Sequence, residues 1–523
     1  MFQRISASNP HIDIGAFAGD HKKTHSILSI AQNTLFEFLN TATVLPLRAT
    51  CKEAKKSIEN HNWNDDWTLI YDVKKWRSCF PKTRAASCGH ITDDDFIHFQ
   101  GIHTLDIFSN RLITGDNFNY LRGIHTLNMC MCDEVTNDAL QHLSGSIKVL
   151  DISHCSRITD DAFTYLGGIH TLNVSGVNIK GTHFKFLHGI YSLNIDGCFN
   201  ITDNAFEHLK GIQKLSMNMC YDITDEAFKY LKGIKFLSME KCRHITDDAF
   251  EHLTGIHSLN IKKCRQITGD GFKYLKGIHT LNLNHCDNVT DDAFEHLSGI
   301  KVLDMCYTDV TNKAFEYLRG IHTLVVKNEI ITDDAFANLE GIHTLHMSCC
   351  VKITDNAFKY LKGIHTLYMD DFCKRITDAA FVHLKGINTL DIEECERITD
   401  KAFEHLSGIY KLNMSKCTSI TDAAFVHLKG IHILDMSECP NITDNAIVHL
   451  KGIHSLNIDG CPNITNVALQ AHLQGIHFIC LNDNDDEDDE DALNSILPGT
   501  DVLNKNAWNY EHYDRKIGNI ATF

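Results

Sequence analysis

The sequence has no excess of basic residues, no long apolar run and no export signal. Its 49 Lys and Arg residues are outnumbered by 67 Asp and Glu residues, which gives a formal net charge of −18. Nucleic acids and anionic membranes bind basic surfaces, so this balance argues against both as partners. No apolar stretch approaches the ~18 residues that a membrane-spanning helix needs. The opening residues MFQRISASNPHIDIGAFAGD lack the continuous apolar core of a signal peptide.

Motifs that carry chemistry are also missing. The sequence contains no H-E-x-x-H, G-x-S-x-G or G-x-G-x-x-G motif, no P-loop and no C-x-x-C pair. We therefore predict no catalytic residue, no metal site and no cofactor. Twenty cysteines without an export signal indicate free thiols in a reducing compartment. We expect an intracellular, cytoplasmic protein, with the nucleus as an alternative.

A repeat of about 22 residues dominates what the sequence does contain. Each repeat opens with a glycine, or with Ser146, and 18 such openings run from Gly101 to Gly475 at a mean spacing of 22 residues. We number positions within a repeat from this opening residue, which is position 0. A module of this length cannot bury its apolar side alone, so we expect the repeats to stack on one another.

The repeat Gly277–Ser298, GIHTLNLNHCDNVTDDAFEHLS, shows how one module folds. Leu281 and Leu283 alternate with polar residues, which predicts a short strand with one buried face. Thr290 and Asp291 offer a capping side chain to a short helical turn. The residue at position 17, Phe294 in this repeat, is Phe in 15 of 18 copies, which predicts a column of Phe side chains through the array.

The strand pattern and its period resemble the leucine-rich repeats, and segments such as CSRITD (155–160) and CERITD (395–400) resemble the cysteine-containing class. The near-identity of the repeats is similar to arrays carried by large DNA viruses and their protist hosts, for which the compartment would be the host cytoplasm. The resemblance implies an α/β solenoid with a curved parallel sheet on the concave face and short helices on the convex face. We assign about 19 repeats to residues 79–481, an acidic loop to 482–491 and a C-terminal cap to 492–523.

Residues 24–78 lack the glycine repeat and follow a flexible lead, residues 1–23. Their apolar residues recur at helical spacing, which predicts a small all-α module. Within it, LFEFLNTATVLPLRATCK (35–52) resembles an F-box. That resemblance implies binding of a Skp1-type adaptor through Leu35, Phe36, Phe38, Leu39, Val44, Leu45 and Leu47.

Two functions follow from this organisation. The F-box resemblance implies a non-catalytic, substrate-recognition subunit of a cullin–RING ubiquitin ligase, one copy within a larger complex of adaptor, cullin and target protein. The alternative is an interaction scaffold with no ubiquitin link, in which the helical module only caps the first strand of the solenoid.

Fourteen cysteines, from Cys88 to Cys461, occupy the same place after the strand. One interpretation is a metal or redox ladder, because neighbouring strands lie only ~4.8 Å apart. Zinc, however, needs four converging ligands, which a linear column does not supply. The other interpretation, which we favour, is a small buried side chain that bonds weakly to backbone. The regularly spaced histidines similarly predict a pH-dependent surface charge and not a metal site.

The binding surface should lie where the repeats differ, at strand positions 3, 5, 7 and 8 on the concave face. Aromatic side chains and Met are the usual anchors of protein interfaces. Two charged patches are predicted about six strands, ~25–30 Å, apart. The predicted target-binding residues are Phe236, Glu240, Lys241, Arg243, Lys262, Lys263, Arg265 and Tyr307 around a basic patch, and Tyr368, Asp370, Asp371, Glu393 and Glu394 around an acidic one.

Overall fold

The structure is a computed structural model that describes residues 55–56, 59, 64–70, 72–369, 373–481, 500–503 and 508. Several predictions fall outside these residues: the lead 1–23, the F-box-like residues from Leu35 to Leu47, the acidic loop 482–491, and Asp370 with Asp371. The chain divides into two compact units, one running to Ser238 and the other beginning at Met239. Both units are built from the predicted repeat.

The first unit contains a parallel sheet whose strands pair in chain order. Most of its strands are three residues long, and the chain changes direction at position 8, where the backbone is left-handed, with φ of 60° at Met131 and 59° at Met219. Its strands are β1 (Asn64–Ile70), β2 (Ala85–Cys88), β3 (Thr104–Asp106), β4 (Thr126–Asn128), β5 (Val149–Asp151), β6 (Thr171–Asn173), β7 (Ser192–Asn194), β8 (Lys214–Ser216) and β9 (Phe236–Ser238).

The second unit repeats this arrangement, again with parallel strands paired in chain order. Its strands are β10 (Ser258–Asn260), β11 (Thr280–Asn282), β12 (Val302–Asp304), β13 (Thr323–Lys327), β14 (Thr344–Ser348), β15 (Thr366–Tyr368), β16 (Thr389–Asp391), β17 (Lys411–Asn413), β18 (Ile433–Asp435), β19 (Ser455–Asn457), β20 (Phe478–Cys480) and β21 (Asp501–Leu503).

Short helical turns connect the strands, and most are 3₁₀ turns because six or seven residues leave little room for α-helical bonding. The α-helices are α1 (Val73–Cys79), α2 (Asn312–Phe315), α3 (Asp333–Phe336), α4 (Asp444–Ile447) and α5 (Asn466–His472). The 3₁₀ turns are Asp93–Phe99, Phe118–Leu121, Asn137–Leu143, Asp160–Tyr165, Phe184–Leu187, Asp203–His208, Asp225–Tyr230, Asp247–His252, Asp270–Leu275, Asp291–Leu297, Asp355–Leu361, Asp378–His383, Asp400–His405, Asp422–His427 and Val448–Leu450.

The core of each unit is the predicted apolar column. In the repeat that opens at Gly277, the side chains of Leu281, Leu283 and Phe294 have no exposed surface. Gly277 itself has φ of 85°, and no atom lies within 4 Å of where its Cβ would be. Glycine is therefore required at the opening position by the backbone conformation and not by crowding. The predicted α/β class, a parallel sheet with short helices, is confirmed.

The sheet begins earlier in the chain than the sequence pattern indicates. Residues 24–78 were expected to be helical throughout, but residues 64–70 form β1, which pairs in parallel with β2. The segment WTLI at 67–70 is rich in residues that favour strands, so local preference and pairing agree here. The helix α1 follows, with Asp72 accepting a hydrogen bond from the backbone N–H of Lys75.

Several cysteines of the column bond their repeat to the one before it. Cys286 Sγ donates to the carbonyl oxygen of Ile261 at 3.1 Å, and Cys439 Sγ donates to that of Met414 at 3.2 Å. Burial raises the pKa of the Cys155 thiol to about 12, so it stays protonated at neutral pH. All 19 cysteines within the described residues are free. These contacts match the interpretation of a small buried side chain that bonds to backbone.

A second link between repeats uses the Asp at position 14. Asp291 accepts a 2.8 Å hydrogen bond from the backbone N–H of Thr311 and a 2.7 Å bond from its hydroxyl, one repeat further on. The same pair of bonds joins Asp400 to Thr421. The Thr311 hydroxyl in turn accepts a hydrogen bond from the backbone N–H of Lys313 in its own helical turn. Thr290, for which a cap was predicted, makes no such side-chain bond. The Asp therefore ties neighbouring repeats together and does not itself cap a turn.

Candidate functional site: the strand-end edge

Strand position 5 is mostly committed to holding the sheet together. In the second unit, Asn282 Oδ1 accepts the backbone N–H of Asn284 at 3.0 Å, which closes the end of strand β11. Asn413 Nδ2 donates to Asp391 Oδ1 of the preceding strand at 2.9 Å. Position 5 was predicted to face a partner, but these side chains serve internal bonds. The accessible variation lies instead at positions 7 and 8.

We call the residues at positions 7 and 8 of the second unit the strand-end edge. At position 8 the backbone is left-handed: φ is 62° at Lys241, 61° at Lys263, 58° at His285 and 54° at Tyr307. The backbone N–H of each donates to the repeat that follows, as from Lys263 to the carbonyl of Asn284 at 2.9 Å. The edge is therefore held by backbone bonds. These four side chains are partly or fully exposed, whereas others on the edge, such as Cys306 and Ser415, are buried.

The predicted basic residues come together at the start of this edge. Glu240 Oε1 lies 3.4 Å from Lys241 Nζ and 3.8 Å from Lys262 Nζ, so one carboxylate is shared by two ammonium groups. Lys263 has no carboxylate within ion-pair distance among the described residues. Arg243 and Arg265 lie exposed just beyond the edge, and the Arg265 guanidinium is 3.9 Å from Asp287.

Tyr307 is the aromatic centre of the edge. Its ring stacks on that of His285 with centroids 4.1 Å apart and planes 5° from parallel. Lys327 Nζ lies 4.9 Å from the centroid of the same ring, a cation–π distance. Hydrogen bonding to Tyr307 raises the pKa of the Lys327 ammonium. Burial, and then the charge of Lys263, lower the pKa of His285.

A shortened repeat explains why Lys327 reaches Tyr307. The repeat that opens at Gly320 has 21 residues and lacks a left-handed residue after its strand. Strand β13 therefore runs two residues further and pairs Lys327 with Ser348 of β14. The amide of Asn328 takes the place of the column cysteine: its Nδ2 donates to the carbonyls of Thr308 and Val310, and its Oδ1 accepts from Ile330 and Ile331.

The predicted acidic residues lie in a mixed environment. Lys416 Nζ bridges Glu393, at 3.3 Å, and Glu394. The hydrogen bond to Glu394 raises the pKa of Lys416. Tyr368 lies at strand position 5, where its ring stacks on His346 at 4.1 Å. Phe236, in the first unit, is half-buried at strand position 3.

Three contributors to the edge escaped the sequence pattern. His285 and Lys416 occupy position 8 and could have been read from the column in which Lys241 and Glu394 stand. Lys327 occupies position 7 and could have been found in the same way, but its contact with the Tyr307 ring depends on the longer strand β13. The sequence shows that Glu393 and Glu394 carry the same charge within one repeat. It does not show that Lys416 of the next repeat neutralises them.

Part of the sheet in the second unit is covered by the chain itself. Trp508 is fully buried against Cys480 and Ile433. Strand β21 pairs in parallel with β20, aligning Asp501 with Phe478. The open part of the strand-end edge therefore lies in the repeats before this region.

Other kinds of site are not seen in the part of the chain that the structure describes. Across residues 72–369 and 373–481, no three His, Cys, Asp or Glu side chains are grouped to hold a metal ion. No helix among the described residues is long and apolar enough to cross a membrane.

The parallel strands, the buried leucine column and the short helical turns define a leucine-rich-repeat solenoid, a fold that presents a surface for other molecules. A model of the BspA-type leucine-rich repeat region matches residues 199–322, 308–432 and 351–485, which together exceed half of the chain. The chain belongs to the BspA-type leucine-rich-repeat family. No curated protein sequence matches it.

Some solved structures are similar to this chain at low identity and low TM-score. The Rad7–Elc1 complex of yeast is similar at 16% identity and a TM-score of 0.36, covering 68% of this chain and 82% of that one. The Toll–Spatzle complex of Drosophila is similar at 13% identity and a TM-score of 0.37, covering 74% of this chain and 54% of that one. The TLR13–ssRNA13 complex is similar at 14% identity and a TM-score of 0.48, covering 83% of this chain and 82% of that one. With TM-scores below 0.5, these likenesses establish nothing further about this chain.

Proposed function

We propose that the chain is a protein-interaction receptor: the strand-end edge captures a target protein, and the F-box-like segment holds a Skp1-type adaptor of a cullin–RING ubiquitin ligase. The observation that carries the first part is the edge itself. Its Lys, Glu, His and Tyr side chains are partly exposed and differ from repeat to repeat, while position 5 is used for internal bonds. The second part is supported by the sequence resemblance of residues 35–52.

The mechanism is proximity. A target held on the edge and an adaptor held by the F-box-like segment would bring the target beside a ubiquitin-loading enzyme that other subunits supply. The chain itself would contribute no catalytic group. We place this activity in the cytoplasm, because the many buried free thiols suit a reducing compartment.

Adaptor binding can be tested by co-purification of the full chain with a purified Skp1-type adaptor. We expect wild type to retain the adaptor, and Leu39→Asp and Val44→Asp to lose it, because each places a charge in an apolar contact. Thr43→Asp, a polar position of the same segment, is the matched control. A wild-type chain that retains no adaptor but still captures a target would leave the plain interaction scaffold as the function.

Target capture can be tested at the basic end of the edge. We expect Lys262→Glu with Lys263→Glu to reduce the proteins retained by the full chain, because like charges would then face an acidic partner. The double variant Lys273→Glu with Lys276→Glu, on the helical side of the same repeat, is the control. Equal retention by all three proteins would remove the edge from the proposed function.

A further inference from the structure

Position 8 is where the second unit accepts backbone strain. Among the described residues, eight other than glycine have positive φ there, and Gly460 is the one glycine. The eight are Lys241, Lys263, His285, Tyr307, Cys349, Glu394, Lys416 and Glu438. A left-handed conformation costs a side-chain-bearing residue roughly 1–2 kcal/mol. Glycine would avoid this cost, so the exposed side chains at position 8 are not there for the turn they make.

The chemistry displayed changes along the edge. It begins with Lys241, Lys262 and Lys263, of which Glu240 neutralises part. Lys263 keeps an ammonium group with no carboxylate at ion-pair distance in the described chain. This is a basic region on a chain whose formal net charge is −18. An acidic ligand would be repelled by most of the surface and attracted here.

We propose, resting on the receptor function above, that this end of the edge binds a short acidic segment of the target in an extended conformation. Carboxylates of the segment face Lys241, Lys262 and Lys263, which lie on neighbouring repeats ~4.8 Å apart, within reach of one extended chain. Past the lysines, a groove of about 360 Å³ beside Tyr307 takes an apolar side chain against Ile330, which is 45% exposed.

Two features argue against a nucleic acid in the same place. Single strands bind by stacking bases on open aromatic faces. The Tyr307 ring is stacked on His285 from the preceding repeat and lies under Lys327 from the following one, which leaves no open face. The groove is also lined by Asp287, Asp309 and Glu329, which would repel a continuous phosphate chain.

The test uses the full chain and a fluorescein-labelled (Glu-Ser)₅ peptide, with fluorescence anisotropy at low and high salt. We expect Lys263→Gly to weaken binding about three- to fivefold, the effect of losing one surface charge pair of up to ~1 kcal/mol. Lys263→Glu should weaken it further. The melting temperature of Lys263→Gly should not fall, because glycine adopts φ of 61° without strain.

Lys273→Gln is the matched control, since Lys273 lies in the helical turn Asp270–Leu275 of the same repeat, outside the strand-end edge. It should leave peptide binding unchanged. A (Gln-Ser)₅ peptide and a ten-nucleotide single-stranded RNA serve as further ligands. Equal binding by wild type and Lys263→Gly, tighter binding of the RNA than of the acidic peptide, or no binding of the acidic peptide at low salt would each overturn the proposal. Edge-dependent capture of a target without acidic-peptide binding would remove this inference alone, whereas edge-independent capture would remove the receptor function as well.

Discussion

The indole Nε1 of Trp508 donates a 2.8 Å hydrogen bond to Oδ2 of Asp435, a residue of strand β18 that lies 73 positions earlier in the chain. Asp435 also accepts from the backbone N–H and hydroxyl of Ser437 and from Nδ2 of Asn457. The carboxylate is only 4% exposed, and four donors compensate for its removal from water. The indole thus fixes a distant part of the chain onto the sheet through one buried acceptor.

Replacing this indole should weaken the second unit measurably. Trp508→Phe removes one donor from a buried carboxylate and leaves a small void, so we expect a loss of about 1–3 kcal/mol in the free energy of unfolding. Trp76→Phe is a matched control, because the Nε1 of Trp76 is also buried but has no partner within the described residues. Urea denaturation followed by circular dichroism measures both. A larger loss for Trp76→Phe than for Trp508→Phe would contradict this reading of the contact.

The sequence was enough to predict which side chains of each repeat are buried. The Leu and Phe columns follow from side-chain alternation and from helical spacing within one repeat, and Phe294 and its equivalents are buried as expected. Bonds between repeats were not visible. The link from Asp291 to Thr311 joins residues 20 positions apart, and only stacked repeats bring them together. The sequence pattern therefore predicted Asp291 to be a helix-capping residue.

The candidate site shows the same division. Lys262, Lys263 and Tyr307 could be found from the variable positions, because their repeats differ from the rest. The contact of Lys327 with Tyr307 depends on a missing residue that lets strand β13 continue, a change in pairing that composition does not indicate. The ion pairs of the acidic residues could not be predicted from the sequence either, because Lys416 contacts carboxylates of the preceding repeat.

The Asp at position 14 should matter more than the Asp beside it. Asp291→Ala removes two hydrogen bonds to Thr311, one from a backbone N–H and one from a hydroxyl, and we expect a loss of about 1–2 kcal/mol. Asp292→Ala, in the same helical turn, removes only an exposed ion pair with Lys313 and should cost less than about 1 kcal/mol.

Urea denaturation of the full chain gives both values, and amide exchange at Thr311 reports the lost bond directly. Faster exchange at Thr311 is expected in Asp291→Ala and not in Asp292→Ala. Equal losses in the two variants would mean that Asp291 acts only through its charge at the start of the turn.

Asn328 should be among the most sensitive polar residues of the second unit. It is 5% exposed, and its amide makes four hydrogen bonds where other repeats have a cysteine that makes one. We expect Asn328→Ala to cost about 2–4 kcal/mol, because buried backbone groups lose their partners. Asn288→Ala, an exposed residue with one bond to the carbonyl of Arg265, is the control and should cost under about 1 kcal/mol. Similar losses for the two variants would show that the Asn328 bonds can be replaced by water.

Thiol reactivity should separate the cysteines of the native chain. Cys130 is half-buried, whereas the other cysteines of the described residues are buried. Burial raises the pKa of Cys132 to about 11, so its thiolate is scarce at neutral pH as well as inaccessible. Within residues 72–369 and 373–481, iodoacetamide should modify Cys130 first, and Cys132 only after denaturant is added. Peptide mass mapping checks the order, and early modification of Cys132 in native protein would show that the column opens.

The stacked histidines should make stability depend on pH in a defined direction. The ring of His343 lies 4.6 Å from those of His322 and His365, and burial followed by the two neighbouring rings lowers its pKa below the ordinary 6.5. In the unfolded chain the group titrates near that ordinary value, so below it the unfolded state binds more protons than the folded one. Stability should therefore be constant above about pH 7, fall as the pH drops through about 6.5, and level off once the folded state is also protonated. His343→Gln should reduce this slope in urea titrations, while His296→Gln, on the helical side, should not. An unchanged slope in His343→Gln would mean that the stacked rings take up protons as readily as free histidine.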